Sequence, residues 1–206
     1  MNRAVPRATL RAVLQSIQSM SGPQYVVLLQ QAGLERYNGT APGWEDGAAC
    51  SIEELVGLYR RVYEMLGPTL TRLFHRNCGM VLAGIAREGA GWPQLVTQAQ
   101  AVPEAQRLEW FVRTMAQQAE GAWTRSIITE DAQAWYMAME ECHTCQGIRG
   151  APLPLCMTGE ATYSEMAKHL LGWRVRVTEV TCRAMGAPYC TYAFGKAIRP
   201  WGEGAA

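Results

Sequence analysis

The segment EVTCRAMGAPYC, residues 179–190, constrains this chain more than any other part of the sequence. It places Glu179, Cys182 and Cys190 within twelve residues, around a Gly-Ala-Pro turn. Carboxylates and thiolates are both zinc ligands, and structural zinc sites are usually four-coordinate. Residues three apart on an ideal strand point to opposite faces, so Glu179 and Cys182 can share an ion only at a bulge or a strand end. The segment therefore predicts a hairpin that supplies three ligands to a metal.

The spacing leaves the fourth ligand open between two sets. Cys156, near the start of the preceding predicted helix, would tie that helix to the hairpin. The pair Cys142-x-x-Cys145 can instead chelate with both sulfurs. In that case the site would consist of four thiolates, Cys142, Cys145, Cys182 and Cys190, and would leave Glu179 and Cys156 free.

Two further interpretations of the cysteines need no metal. Free cysteines are common in protein cores, but an unpaired buried carboxylate is costly, so this interpretation explains Glu179 poorly. A redox role for Cys142-x-x-Cys145 calls for a flanking βαβ pattern, which the sequence lacks. Metal binding is the interpretation that the spacing favours.

Composition indicates a globular protein and gives little reason to expect a nucleic-acid or membrane partner. The chain has 206 residues, 49% of them hydrophobic and 18% charged, with a net charge of +1. It contains no run of about 18 apolar residues and no signal-peptide pattern. We therefore expect a cytoplasmic protein, in which the seven cysteines remain reduced.

Helical patterns dominate residues 1–120. Helix signals include the capping-box pair Ser51 and Glu54, a stop at Gly67 followed by Pro68, and a further helix after Pro103. After Gly121 the pattern changes to alternating β-branched and aromatic residues, interrupted by one helical segment before Gly172. We predict one domain over residues 1–198, with a helical region over residues 1–120, a sheet and metal-binding region over residues 121–198, and a tail over residues 199–206.

The predicted element order in the C-terminal region is strand–strand–helix–strand–strand. Tight turns between neighbouring strands imply antiparallel pairing. The fold class predicted is therefore α+β, with N-terminal helices packed on an antiparallel sheet of about four strands.

The residues from Pro154 to Cys190 resemble the C-terminal part of 4-vinyl reductase domains. That family carries Pro-x-Cys, then Glu-x-x-Cys, then Gly-x-Pro-x-Cys, and here the motifs read Pro154 and Cys156, Glu179 and Cys182, and Gly186, Pro188 and Cys190. The resemblance extends over residues 142–196. It implies a fold similar to subunits of the TRAPP tethering complex, and domains of this family often form dimers, so a homodimer is expected.

The resemblance also implies a cofactor. In the phenol- and xylene-sensing activators that carry this domain, zinc is held by the matching residues, which are here Cys156, Glu179, Cys182 and Cys190. Those sensors lack the Cys142-x-x-Cys145 pair. The pair therefore stays open as a source of alternative ligands, a second metal or a cluster.

A ligand pocket is expected where apolar residues converge. The predicted lining consists of Trp135, Met137 and Met139 on a strand, Trp110, Phe111 and Met115 on a helix, and Trp123 on a neighbouring strand. Ordinary core packing explains the same pattern. The sensors resemble this chain in a Trp about twenty residues before the first zinc Cys, and Trp135 stands 21 before Cys156. Arg107 occupies the position of their phenol-anchoring His, which disfavours phenol as the ligand.

These observations favour a zinc-stabilised domain that binds a small hydrocarbon, aromatic or tetrapyrrole-like molecule, as a sensor or carrier. The alternative is an enzyme or accessory factor of (bacterio)chlorophyll biosynthesis acting on a vinyl group, because the family takes its name from such a protein. A reductase needs a hydride source, and the sequence has no GxGxxG fingerprint after a strand. A non-catalytic role is therefore the preferred prediction, with catalysis left open.

Overall fold

The computed structural model of this chain describes residue 5 and residues 7–22, 24–40, 50–122 and 124–200. The helices are α1 (Arg7–Ser21), α2 (Gln24–Gln31), α3 (Ile52–Glu88), α4 (Trp92–Ala101), α5 (Arg107–Ala122) and α6 (Met157–Leu171). The strands are β1 (Ser126–Glu130), β2 (Ala134–Met139), β3 (Trp173–Arg174), β4 (Val177–Thr181), β5 (Cys190–Gly195) and β6 (Arg199–Pro200). No helix of these segments combines the length and the apolar character that crossing a bilayer requires.

The main sheet has four antiparallel strands in the order β1-β2-β5-β4. This arrangement confirms the α+β class and the predicted order of strands around α6. A second, two-residue ladder joins β3 to β6, so regular pairing continues past residue 198 to Pro200. Two residues carry too little alternation to mark a strand in the sequence, which is why β6 fell within the predicted tail.

Helix α3 contains both of the helices that the sequence predicts on either side of Gly67. Its capping box is present: the Ser51 hydroxyl accepts from the Glu54 amide, and the Glu54 carboxylate accepts from the Ser51 amide. Gly67 lies inside the helix with φ at 68°, a left-handed conformation, and Pro68 restarts the helical path. The two helices therefore follow each other without an intervening loop.

Helix α4 was not predicted from the sequence. Of its ten residues, only Ala99 is buried. Its apolar residues Trp92, Leu95, Val96 and Ala99 nevertheless have helical spacing, and the first three pack, partly buried, on the neighbouring core, so the sequence does carry a short periodic pattern here.

The buried apolar residues form two cores. One, the helical core, lies among α1, α2 and the part of α3 that extends to Cys78. The other lies between α5, α6 and the main sheet, and it contains the five cysteines of the C-terminal third, Cys142, Cys145, Cys156, Cys182 and Cys190. The cysteines are therefore part of the sheet-side core and not of a surface loop.

Helices α3 and α6 approach each other closely at Gly79. A Cβ built there would meet the Thr158 carbonyl oxygen and lie 2.7 Å from the Ala161 Cβ. We expect Gly79→Ala to destabilise the protein by about 1–3 kcal/mol, because rigid backbone must move. Gly57→Ala in the same helix meets nothing within 4 Å and should stabilise it by about 0.5–1 kcal/mol. Urea denaturation of the two variants checks this, and equal effects would contradict it.

His75 is fully buried against Tyr59 and Phe74. Its Nδ1 lies 3.2 Å from the Thr158 hydroxyl, which itself donates to the His75 carbonyl, and no described residue bonds its Nε2. Burial lowers the pKa of His75 from 6.5 to about 4. The folded protein therefore keeps this ring neutral at pH values where the unfolded chain protonates it.

We expect His75 to make the protein acid-sensitive. Because its pKa is lower in the folded state, its contribution is fully present above pH 6.5 and is lost as pH falls toward 4. The loss reaches about 2 kcal/mol at pH 5. In His75→Gln the decrease in unfolding free energy between pH 7.5 and pH 5 should be smaller by that amount, since all other titrating groups are shared. Parallel pH profiles for the two proteins would disprove this prediction.

Candidate metal centre and adjoining cavities

A β-bulge in β4 brings Glu179 and Cys182 to the same side of the hairpin. Glu179 pairs with Tyr192 while Thr181 pairs with the adjacent Thr191, so Val180 is an additional residue in the strand. Val180 is accordingly 48% exposed, whereas Glu179 and Cys182 are 3% and 1% exposed. The bulge supplies the change of face that the three-residue spacing requires.

Six buried side chains from four segments converge at this hairpin. After β2, Cys142 precedes a short 3-10 helix and Cys145 is its last residue, while Cys156 immediately precedes α6. Cys182 follows β4, and Cys190 begins β5 across the Gly186 turn. Each of the five cysteines is at most 3% exposed.

Four of the five sulfur atoms are in contact with one another, in three pairs. Sγ of Cys142 lies 3.3 Å from Sγ of Cys156, and Sγ of Cys145 lies 3.5 Å from Sγ of Cys190. The Sγ atoms of Cys156 and Cys190 are 3.8 Å apart. The amide of Arg183 also donates to the Cys190 sulfur at 3.4 Å. Sulfurs packed this closely can share a metal ion.

The six side chains form two groups of four, and within each group all ligand atoms lie within 4.8 Å of one another. The groups are Cys156, Glu179, Cys182 and Cys190, and Cys142, Cys145, Cys156 and Cys190. The first group is the set that the family resemblance implies. The second group contains the CxxC pair. It differs from the four-thiolate set predicted from the sequence in one residue, because it has Cys156 where that set has Cys182.

Glu179 is held by one oxygen and has the other free for a cation. Its Oε2 accepts from the Cys156 amide at 2.8 Å, and its own amide donates to the Glu160 carboxylate at 2.6 Å. Its Oε1 is buried, and no described residue hydrogen-bonds to it. A buried carboxylate oxygen without a partner costs free energy unless a cation compensates it.

Raised pKa values at Glu179 and Cys156 indicate that these two groups stay protonated at neutral pH without a cation. Burial, together with the neighbouring Cys182 and Cys142 thiolates, raises the pKa of Glu179 to about 9. Burial also raises the pKa of Cys156 well above the ordinary thiol value. In contrast, hydrogen bonds from neighbouring thiols, above all from Cys145, hold the pKa of Cys142 well below the ordinary thiol value. A bound divalent ion would favour the charged forms.

A cavity of about 310 Å³ adjoins Cys142, between the helices and the sheet. Its wall is mainly apolar, and Met115 and Met139 from the predicted pocket belong to it. Most of its other large side chains come from α3, α6 and β5: Leu55, Tyr59, Leu82, Tyr163, Met166 and Tyr192. The sequence did not indicate these, because residues of distant helices meet here only through tertiary packing.

Trp135 lies elsewhere, at a second cleft of about 690 Å³ near the surface. The apolar wall of this cleft includes Trp135 and Trp173, and four charged residues border it, Glu104, Glu109, Glu130 and Lys196. The side chains of Arg113 and Lys196 lie 5.5 and 5.2 Å from the centre of the Trp135 ring. Trp135 thus has both apolar and cationic neighbours.

Four other predicted pocket residues, Met137, Phe111, Trp110 and Arg107, line neither cavity. Met137 and Phe111 are fully buried in the sheet-side core, and Phe111 packs edge to face on Phe194 at 6.2 Å. Trp110 is partly buried against the same core, and Arg107 donates to the Val102 carbonyl. Trp123 lies outside the described residues.

Comparison with known proteins identifies the segment that carries the candidate ligands. Residues 135–196 match the family model of the vinyl-4-reductase (V-4-R) domain. No curated protein sequence matches the chain.

The chain is also similar to several solved structures. The chain is similar to an H-NOX family protein studied for heme distortion, with a TM-score of 0.55, 14% identity and 95% of each chain covered. It is also similar to the phenol-responsive sensory domain of the transcription activator PoxR, with a TM-score of 0.47, 17% identity and 85% of this chain and 91% of that one covered. An H-NOX protein from S. oneidensis gives a TM-score of 0.42, 13% identity and 92% and 98% coverage.

The comparison with the first of these shows a shared α+β fold over almost the whole length of both chains. The family match confirms the resemblance to 4-vinyl reductase domains over the segment that contains all six candidate ligands. Residues 135–196 of this chain are therefore similar to a vinyl-4-reductase domain.

Proposed function

We propose that this chain is a zinc-stabilised domain that binds a small apolar or aromatic molecule and acts as its sensor or carrier. The observation that carries the proposal is the largely apolar cavity of about 310 Å³ beside Cys142. Ligand sites in proteins are mostly apolar clefts of roughly 300–1,000 Å³ with a few polar groups. The exposed Gln118 and Glu141 provide polar groups at this cavity.

The size of the cavity narrows the ligand class. At about 310 Å³ it is at the lower end of the range for ligand sites. This volume suits a molecule of one or two aromatic rings, or a hydrocarbon of similar size, and is small for a tetrapyrrole. A role in bacteriochlorophyll synthesis, the alternative that the family name implies, is therefore the less favoured proposal.

The zinc ligands proposed from the resemblance are Cys156, Glu179, Cys182 and Cys190. Support comes from their burial, from their mutual distances within 4.8 Å and from the unpartnered Oε1 of Glu179. An ion with four protein ligands has no open position for a substrate, so its role would be structural. It would fasten the start of α6 to the β4–β5 hairpin.

Contacts between the cavity and the metal centre support a sensor role. Tyr192 lines the cavity, and its hydroxyl donates to the Cys156 carbonyl at 2.9 Å. Gly159, in the first turn of α6, also lines the cavity and lies against the Tyr192 ring. A bound ligand would therefore contact residues that position Cys156, which couples cavity occupancy to the metal centre.

We also propose a homodimer, as the resemblance implies. On one side of α3, Leu70, Leu73 and Met80 are 48%, 53% and 43% exposed. They are spaced at three and seven residues, so they share a helix face. An apolar strip of this kind is typical of a subunit contact.

Glu179→Gln should weaken zinc binding at least about 10–100-fold, because even losing groups that only support ligands costs that much. Glu165→Gln is the matched control, since Glu165 pairs with Lys168 and His169 on the surface of α6. Competition with a chromophoric chelator measures both affinities.

Complete zinc removal from the unaltered protein should unfold the sheet-side core. A zinc-free protein with native circular dichroism and an unchanged denaturation midpoint would rule out the structural role.

Ala86→Phe should abolish ligand binding, because Ala86 lines the cavity beside Cys142 and the larger ring would fill it. Ala105→Phe is the control, since Ala105 lines the second cleft beside Trp135. Naphthalene and indole serve as probes, with thermal shift and native mass spectrometry as readouts. The mass spectra also give the subunit count. Binding that survives Ala86→Phe and is lost in Ala105→Phe would show that the ligand binds in the second cleft, beside Trp135.

A further inference from the structure

The two groups of four ligands overlap in Cys156 and Cys190. Each group on its own has the number and the kind of ligands of a four-coordinate zinc site. A single ion in either group leaves two of the six side chains without a metal. An ion in the group with Glu179 leaves the Cys142 and Cys145 thiols in contact with its ligands, and an ion in the other group leaves Glu179 and Cys182 without a cation.

We infer that the centre binds two zinc ions, bridged by the Cys156 and Cys190 thiolates. Cys142 and Cys145 complete the first ion, and Glu179 and Cys182 complete the second. This inference rests on the proposed zinc binding and extends it by a second ion and by the role of the CxxC pair.

The number of ligands fits this arrangement. Two four-coordinate ions need eight metal–ligand bonds. The four terminal side chains supply four bonds, and two bridging thiolates supply two each, so the six side chains of the two overlapping groups provide all eight. None of the six side chains remains unused, and none is missing.

The distances also fit. Two sulfurs bound to one tetrahedral zinc at about 2.3 Å lie about 3.8 Å apart. The shared pair, Cys156 and Cys190, has this separation, 3.8 Å. Each bridging sulfur contacts one terminal sulfur of the first ion, Cys142 at 3.3 Å and Cys145 at 3.5 Å.

Charge favours two ions over one. The five thiolates and one carboxylate carry six negative charges when all are ionised, and all six side chains are at most 3% exposed. One divalent ion offsets two of these charges, and two ions offset four. The second ion also gives a partner to the buried Glu179 Oε1 when the first is held by the four cysteines. The thiolate-rich donor set suits zinc.

Metal analysis of purified protein, together with native mass spectrometry, tests the stoichiometry. The unaltered chain should bind two zinc ions. Cys142→Ser/Cys145→Ser should bind one, and Glu179→Gln/Cys182→Ser should also bind one. Cys50→Ala/Cys78→Ala is the control and should keep two, because these buried cysteines belong to the helical core.

Cobalt substitution tests the bridges without any variant. The first Co²⁺ per chain should give a high-spin paramagnetic resonance signal. The second should weaken that signal, because bridging thiolates couple the two spins antiferromagnetically. Two additive, uncoupled signals would overturn the shared role of Cys156 and Cys190.

The remaining outcomes separate this inference from the proposed function. One zinc per chain that survives Cys142→Ser/Cys145→Ser would overturn the two-ion centre and leave the single zinc site standing. Iron with acid-labile sulfide would overturn the two-zinc centre by showing a cluster. No metal in the unaltered protein, and none taken up from zinc solutions, would overturn both proposals.

Discussion

The convergence of Cys156 with the β4–β5 hairpin is the contact on which the C-terminal half of this protein depends. The Cys156 amide donates to Glu179, its carbonyl accepts from Tyr192, and its sulfur touches two other sulfurs. These bonds fix the start of α6 against the sheet, and α6 in turn packs closely on α3 through Gly79. Five thiols and one carboxyl group can be buried together at low cost in free energy only if protons or cations neutralise their charges.

The same arrangement relates the cavity to the metal centre. Cys142 and Tyr192 belong to the cavity wall, while the Cys142 sulfur and the Tyr192 hydroxyl contact Cys156. The proposed sensor therefore needs no separate element to transmit ligand binding to the metal ligands. His75 supports the first turn of α6 from the other side through Thr158, so the neutral imidazole contributes to the same contact.

The sequence predicted the fold class well and the helical boundaries in part. Strand alternation, the capping box at Ser51 and the breaks at Gly67 and Gly172 are local signals, and the structure has all of them. Strand β6 was missed because a two-residue strand leaves little periodic pattern. Helix α4 was missed although its apolar residues have helical spacing. Pocket prediction was weaker: Met115 and Met139 line the cavity beside Cys142, but its other walls come from helices far apart in the chain.

The sequence by itself determined the chemistry of the centre. The residue types, the Glu-x-x-Cys spacing and the turn at Gly186 specified a hairpin with a carboxylate and two thiols, and the need for a bulge followed from the period of a strand. Only the tertiary structure decided that Cys142 and Cys145 lie in the same buried cluster and that Cys156 and Cys190 belong to both groups of candidate ligands. The physical reason is that local spacing fixes which face a side chain occupies, whereas distances between segments far apart in the chain depend on how the core packs.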